Sequence, residues 1–180
     1  TTVPPGTSNK IAIPIINKER KKRGFNKNLN FAFSYERVMP GNKYLDSIIN
    51  FWRVYSGNSK ESQIMCSNFF KKIINTKEFP MTKLSNLAAC ETSKILENSY
   101  RATNIAFMVE WTKFSEITRA NIYNIVKAIR RRETHKNIML PGIGVGGYCL
   151  PKDPLLAQWS LKNLFKSNEN YGDNLLVIPF

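Results

Sequence analysis

Apolar and polar positions follow two textures that meet near Met81. In the first, Asn30 to Ser34 alternates as a half-buried strand does, and Phe51 to Tyr55 reads as a second strand ending at Gly57-Asn58. From Ser59 onward Ile64, Met65, Phe69, Phe70, Ile73 and Ile74 recur at helical spacing and stop before Pro80, which predicts a helix with a buried apolar face. Residues 1–7 (TTVPPGT) read as the end of a strand entering a turn, as in a chain cut from a larger protein. Residues 10–16 (KIAIPII) fit a short helix or a strand, and the charge run Lys18 to Lys27 reads as a solvated loop. This order predicts the remnant of an α/β sheet.

Beyond Met81 the texture changes to a mainly helical period. Ser85 is a reasonable N-cap for a helix of about seven turns running through Trp111, with no Gly or Pro inside it. A second helix is expected over Asn121 to Arg132. A third is expected from Asp153-Pro154, since Asp caps helices and Pro suits their first turn. Residues 83–167 are thus expected to be mainly helical, interrupted at 137–152. The fold class is an α/β remnant followed by a mainly α-helical domain, with boundaries at 1–82, 83–167 and 168–180.

Composition narrows the function classes. Among 180 residues, 27 Lys and Arg against 13 Asp and Glu give a formal charge of +14, part of it a general bias toward Lys, Asn and Ile. The charge is therefore a weak argument for nucleic acid, and none is expected as a partner. No apolar run is long enough to span a membrane. Cys66, Cys90 and Cys149 are far apart with only His135 beside them, which argues against structural zinc or a disulfide framework. A reducing, cytoplasmic setting is expected, with no metal.

The interruption holds the densest chemistry. Gly142, Gly144 and Gly147 formally match GxGxxG, yet Tyr148-Cys149-Leu150-Pro151 separates them from the next helix, and no acidic residue ends a second strand about 20 residues on. The dinucleotide reading is therefore disfavoured, although bare backbone here still admits close approach of a ligand. Cys149 lies between that loop and a helix N-terminus, beside Lys152; a cation and a helix dipole both favour thiolate. The competing reading is a small buried thiol, and Cys66 and Cys90, inside amphipathic helices, take that one. Glu91, Lys94, Asn98 and Arg101 step by three, four and three, which lines them along one helical stripe. That stripe is either a solvated face or one wall of a cleft. Glu36 follows the strand ending at Ser34, either as a site residue or as a lone exposed acid.

Four blocks resemble the nucleotide-sugar 6-dehydrogenases, a family that includes UDP-glucose and UDP-N-acetylhexosamine dehydrogenases. TTVPPGT (1–7) is similar to the family's S-T-V-x-P-G-T, and YERVMPG (35–41) to its S-P-E-R-V-x-P-G. ETSKILENSYRATNIAF (91–107) is similar to E-x-x-K-x-x-x-N-x-x-R-x-x-N-I-A-F, and GVGGYCLPKDP (144–154) to G-V-G-G-x-C-x-x-x-D-P. Tyr35 stands where the pattern has Pro. Pro40 stands where the UDP-glucose branch often has a second Glu, which favours the N-acetylhexosamine branch.

The resemblance implies NAD-dependent oxidation of a UDP-sugar C6 alcohol to the uronate, in a homodimer. It implies Cys149 as the nucleophile, Lys94 and Asn98 at the developing oxyanion, Glu36 in acid/base or hydrolytic work, and Asp153 orienting Lys94 or a water. Thr2 and Lys152 would lie toward NAD. Leu140, Gly142, Gly144, Gly146, Gly147 and Arg101 would face the substrate. It further implies a chain that begins late in a Rossmann-like NAD-binding domain (1–82), continues through a mainly α-helical dimerisation domain (83–167) to a linker or the start of a UDP-binding domain (168–180), and is inactive alone. The alternative is a non-catalytic dimerisation or interaction module retaining the fold.

Overall fold

In the computed structural model, which describes residues 1–167, the chain divides into two units: 1–95 with 159–167, and 96–158. The first unit carries a three-stranded sheet and the second is helical, as the expected fold class has it.

The first unit opens on a turn, with the Thr7 N–H donating to the Pro4 carbonyl at 3.1 Å. No strand forms at residues 1–7; the turn runs into a π-helical segment, Ser8–Ala12, and then α1, Ile13–Lys22. The charge run is therefore helical as far as Lys22 rather than a loop. Pro14 lies just past the π-helical segment and, having no N–H, cannot donate to a carbonyl of that preceding turn.

Strand β1, Ala32–Ser34, pairs antiparallel with β2, Val54–Gly57, and β2 pairs parallel with β3, Thr82–Lys83. Phe33 faces Ser56 and Tyr55 faces Lys83 in this register. The short α2, Tyr44–Ile49, fills the connection between β1 and β2. Inward from the sheet, Phe33, Tyr35, Leu87 and Cys90 form a buried cluster, with Val3, Ile13, Val54 and Leu84 packed against it.

Helix α3, Lys60–Phe70, starts where the sequence indicated. Ser59 caps it through a capping box closed by Ser62. Its burial differs from expectation. Ile64, Met65, Phe69 and Ile73 are exposed, while Ser62 and Ile74 are buried. The reason lies in the contact with β2: a Cβ on Gly57 would come within 2.3 Å of Ser62 Oγ. The helix turns the small Ser62 to the strand so that the backbones approach closely, which leaves the larger apolar groups outside.

Helix α4, Leu87–Thr118, contains 32 residues, about 48 Å of helix. Its cap is Asn86 rather than Ser85: Asn86 Oδ1 accepts the Ala89 N–H at 2.8 Å. In the second unit Arg119 takes the left-handed conformation (φ 57°) that stops α4, and the Ala120 N–H returns to the Ser115 carbonyl at 2.9 Å. Asn121 then caps α5, Ile122–Ile129, through the Asn124 N–H. Met108, Ile122 and Val126 form the core there, with Ile138 and Met139 against them. Helix α6, Asp153–Asn163, begins at the expected residue. The expected segment 168–180 lies outside the described residues.

Candidate active site

The sequence-indicated residues fall into two groups, one in each unit. In the first unit Glu91 is buried, its oxygens accepting the N–H groups of Gly6 at 2.6 Å and Ser8 at 2.8 Å. Gly6 has φ +90°, and a Cβ on it would meet the Phe165 ring at 3.0 Å, so the turn requires glycine. Glu91 thus belongs neither to a solvated face nor to a reactive wall; it anchors the N-terminal turn. Thr2 is half-buried ahead of that turn.

Lys94, one turn further along α4, is half-buried and donates from Nζ to the Glu36 carbonyl at 3.3 Å. Its Nζ also lies 5.6 Å from the centroid of the Tyr35 ring. Glu36 Oε2 accepts the Val38 N–H at 3.0 Å, which fixes the carboxylate beside the turn after β1. Arg53 donates to the Tyr35 carbonyl at 3.1 Å and is half-buried; burial lowers its pKa, with Glu36 opposing. Sequence reasoning treated Tyr35 only as a departure in the turn and passed over Arg53. The packing of a strand-end side chain against a later helix has no local sequence signal.

In the second unit Asp153 is fully buried at the start of α6. Its Oδ2 accepts the Asn98 amide at 2.5 Å and its Oδ1 the Lys152 ammonium at 2.7 Å. The bond to Asp153 raises the Lys152 pKa above its ordinary value; partial burial opposes this, and the neighbouring Asp153, Cys149 and Tyr148 add to the rise. The Cys149 carbonyl accepts the N–H groups of Lys152 at 3.1 Å and Asp153 at 2.9 Å, so Cys149 is pinned to the helix start by its backbone while its side chain stays exposed.

The glycine segment before it is open. A Cβ on Gly142, Gly144, Gly146 or Gly147 would meet nothing within 4 Å, and Leu140, Ile143 and Tyr148 are exposed. Gly144 and Gly147 have positive φ. Val145 and Leu150 tie the segment to α4 by packing on Ala102 and Ala106. The segment does not open directly into a helix, as a dinucleotide cradle must. Arg101 is exposed on α4.

The other two thiols differ from Cys149. Cys90 is fully buried, and burial, then the adjacent Glu91, push its pKa up to about 12. Burial also raises that of Cys66. Among the described residues no three His, Cys, Asp or Glu side chains cluster as metal ligands, and no helix is long and apolar enough to cross a membrane.

Comparison with known proteins bears on this arrangement. The profile of the UDP-glucose/GDP-mannose dehydrogenase family, central domain, matches residues 88–169. The UDP-N-acetyl-D-mannosamine dehydrogenase of Pyrococcus horikoshii is 32% identical over 167 residues, covering 92% of this chain and 38% of that protein. Its counterpart in Methanocaldococcus jannaschii is 30% identical over 177 residues, 97% of this chain and 38% of that protein. The chain therefore spans 38% of the length of these curated relatives. The solved structure of the P. horikoshii UDP-D-ManNAc dehydrogenase matches with a TM-score of 0.75 at 30% identity, over 98% of this chain and 38% of that one. An NDP-N-acetyl-D-galactosaminuronic acid dehydrogenase from Methanosarcina mazei shares the fold, with a TM-score of 0.79 at 23% identity over 94% of this chain and 35% of that one. The chain belongs to the nucleotide-sugar dehydrogenase family.

Proposed function

We propose that this chain carries the covalent chemistry of an NAD-dependent UDP-sugar 6-dehydrogenase acting on a UDP-N-acetylhexosamine in the cytoplasm. The observation that carries the reading is the hydrogen-bonded set Asn98–Asp153–Lys152, built at the helix start that follows an exposed Cys149. Relatives named UDP-N-acetyl-D-mannosamine dehydrogenases support the choice of sugar, as does Pro40.

The residues divide the work by their chemistry. The C6 alcohol first loses a hydride and its hydroxyl proton to become an aldehyde. The Cys149 thiolate adds to the carbonyl carbon, and the oxygen takes up a proton, giving a thiohemiacetal. Loss of a second hydride and that proton leaves a thioester; water then displaces the thiol and releases the carboxylate. Covalent capture retains the aldehyde between the two oxidations. Lys94 and Asn98 donate to the oxygen as it gains charge, a contribution of about 3 kcal/mol where such a donor is preorganised. Asp153 holds the Asn98 amide and the Lys152 ammonium in place. Glu36 takes a proton from the hydrolytic water.

NAD, when bound, accepts the hydride. Thr2, half-buried, and Lys152, a cation held by Asp153, fit a contributory contact with it. The glycine segment does not fit a pyrophosphate cradle, and residues 1–180 alone are expected not to turn over. Leu140, the four glycines and Arg101 are exposed or half-buried, as contact with the sugar nucleotide requires. In this reading the domain boundaries are 1–82, 83–167 and 168–180, and the protein acts as a homodimer. The second reading, a dimerisation module without chemistry, draws on the exposed Phe107, Trp111, Phe114 and Ile117 along α4.

NAD reduction by the full-length protein, compared between UDP-N-acetylmannosamine and UDP-glucose, tests the assignment. Turnover of the first with loss in Cys149→Ser supports it. No turnover of either sugar, with no protection of Cys149 by either, supports the module instead.

A further inference from the structure

Tyr35 is only 2% exposed and belongs to the cluster formed with Phe33, Leu87 and Cys90. Polar contacts fix it from two directions. Its hydroxyl accepts from Arg37 Nη2 at 2.9 Å, and its backbone carbonyl accepts from Arg53 Nη1 at 3.1 Å. Arg37 is itself tied to the Trp52 carbonyl at 2.8 Å, and its guanidinium carbon lies 5.2 Å from the Tyr35 ring centroid. The ring is a fixed platform rather than a side chain filling space.

Lys94 needs such a platform. Its one hydrogen bond among the described residues is a long one, 3.3 Å to the Glu36 carbonyl, and none of their carboxylates pairs with it. A four-carbon stem held by one weak bond samples several rotamers. The ring centroid 5.6 Å from Nζ lies within the range in which an aromatic face attracts an ammonium.

We propose that Tyr35 is a positioning residue, holding the Lys94 ammonium against its ring face so that the Glu36 carbonyl and the ring together set where Nζ points. The proposal rests on the catalytic role given to Lys94 above. A ring suits the task better than a carboxylate does. A carboxylate would occupy the N–H donors and offset the positive charge, whereas a quadrupole attracts the cation and leaves its donors for a substrate oxygen.

Two measurements on the full-length protein test this. In the first, lysines are reductively methylated with carbon-13, which keeps their charge, and the Lys94 methyl resonance is assigned through Lys94→Arg. The ring current should shield that resonance in the native protein and in Tyr35→Phe, and the shielding should vanish in Tyr35→Leu. An unshielded Lys94 methyl in the native protein overturns the proposal.

In the second, residue 35 is replaced by phenylalanines of increasing fluorine content, which keep the shape and drain the ring face. Expected is a graded fall in kcat for UDP-N-acetylmannosamine, about five- to tenfold at full fluorination, with KM unchanged. A flat series shows a purely steric ring and overturns the proposal. Should Lys94→Met keep full turnover while the shielding persists, the catalytic role of Lys94 fails, and the proposal falls with it for a separately visible reason.

Discussion

The Asn98 amide donates to the Asp153 carboxylate at 2.5 Å across 55 residues of sequence, and that hydrogen bond joins α4 to the start of α6. The carboxylate is wholly buried and its other oxygen holds Lys152. Asp153→Asn keeps the volume but turns one acceptor into a donor that faces another donor. It is expected to cost about 3 kcal/mol, read as a lower midpoint in urea, since it leaves buried donors unmatched. An unchanged midpoint contradicts the arrangement.

Glu91 makes a similar join within the other unit, through Gly6 and Ser8. Glu91→Gln sets an amide N–H against a backbone N–H and should cost about 2 kcal/mol. Hydrogen exchange checks the mechanism: the Gly6 and Ser8 amides should lose protection while amides within α3 keep theirs. Equal loss everywhere would point to general destabilisation.

These two joins show what the sequence disclosed and what it withheld. The three-four-three spacing placed Glu91, Lys94, Asn98 and Arg101 on one helical stripe, and α4 does carry them. Spacing could not show that Glu91 faces a glycine turn 85 residues earlier, because partners at that separation leave no periodicity. The start of α3 near Ser59 was legible because helical spacing is local, whereas the cap of α4 was read one residue early, at Ser85 instead of Asn86. The burial of α3 was not, since it depends on Gly57 meeting Ser62 from another element. The start of α6 at Asp153-Pro154 was legible from residue type, yet the Asp153 oxygens hold Asn98 and Lys152, a use that no local pattern shows. The ring of Tyr35 beside Lys94 was not.

Alkaline pH should destabilise the protein through two groups acting in the same sense. The folded Cys90 thiol ionises near 12 against 9.0 for an ordinary one. Its contribution is whole below about 9 and is lost as pH rises toward 12, because the unfolded chain gives up its proton first. Lys152, raised above its ordinary 10.5, adds a loss above that value. Thermal midpoints of Cys90→Ala and Lys152→Met across this range should each fall less steeply than those of the native protein. Parallel curves contradict the assignment.

The exposed apolar run on α4 predicts self-association if the homodimer reading holds. Phe107, Trp111, Phe114 and Ile117 are all exposed, and Ile117 reaches 83%. Trp111→Glu with Ile117→Glu should give a monomer in sedimentation experiments where the native chain gives a dimer, with helix content unchanged. A native chain that is already monomeric at micromolar concentration argues against this face as the dimer contact.

The most direct test of the central claim follows alkylation of Cys66, Cys90 and Cys149 peptide by peptide, from mildly acidic to mildly alkaline pH, with and without UDP-N-acetylmannosamine. Cys149 is exposed, whereas burial keeps the other two thiols protonated. The account predicts that Cys149 labels first at the lowest pH and that the sugar nucleotide protects it. If Cys149 labels no faster than Cys66, and the sugar nucleotide changes nothing, Cys149 is not a nucleophile beside a substrate site.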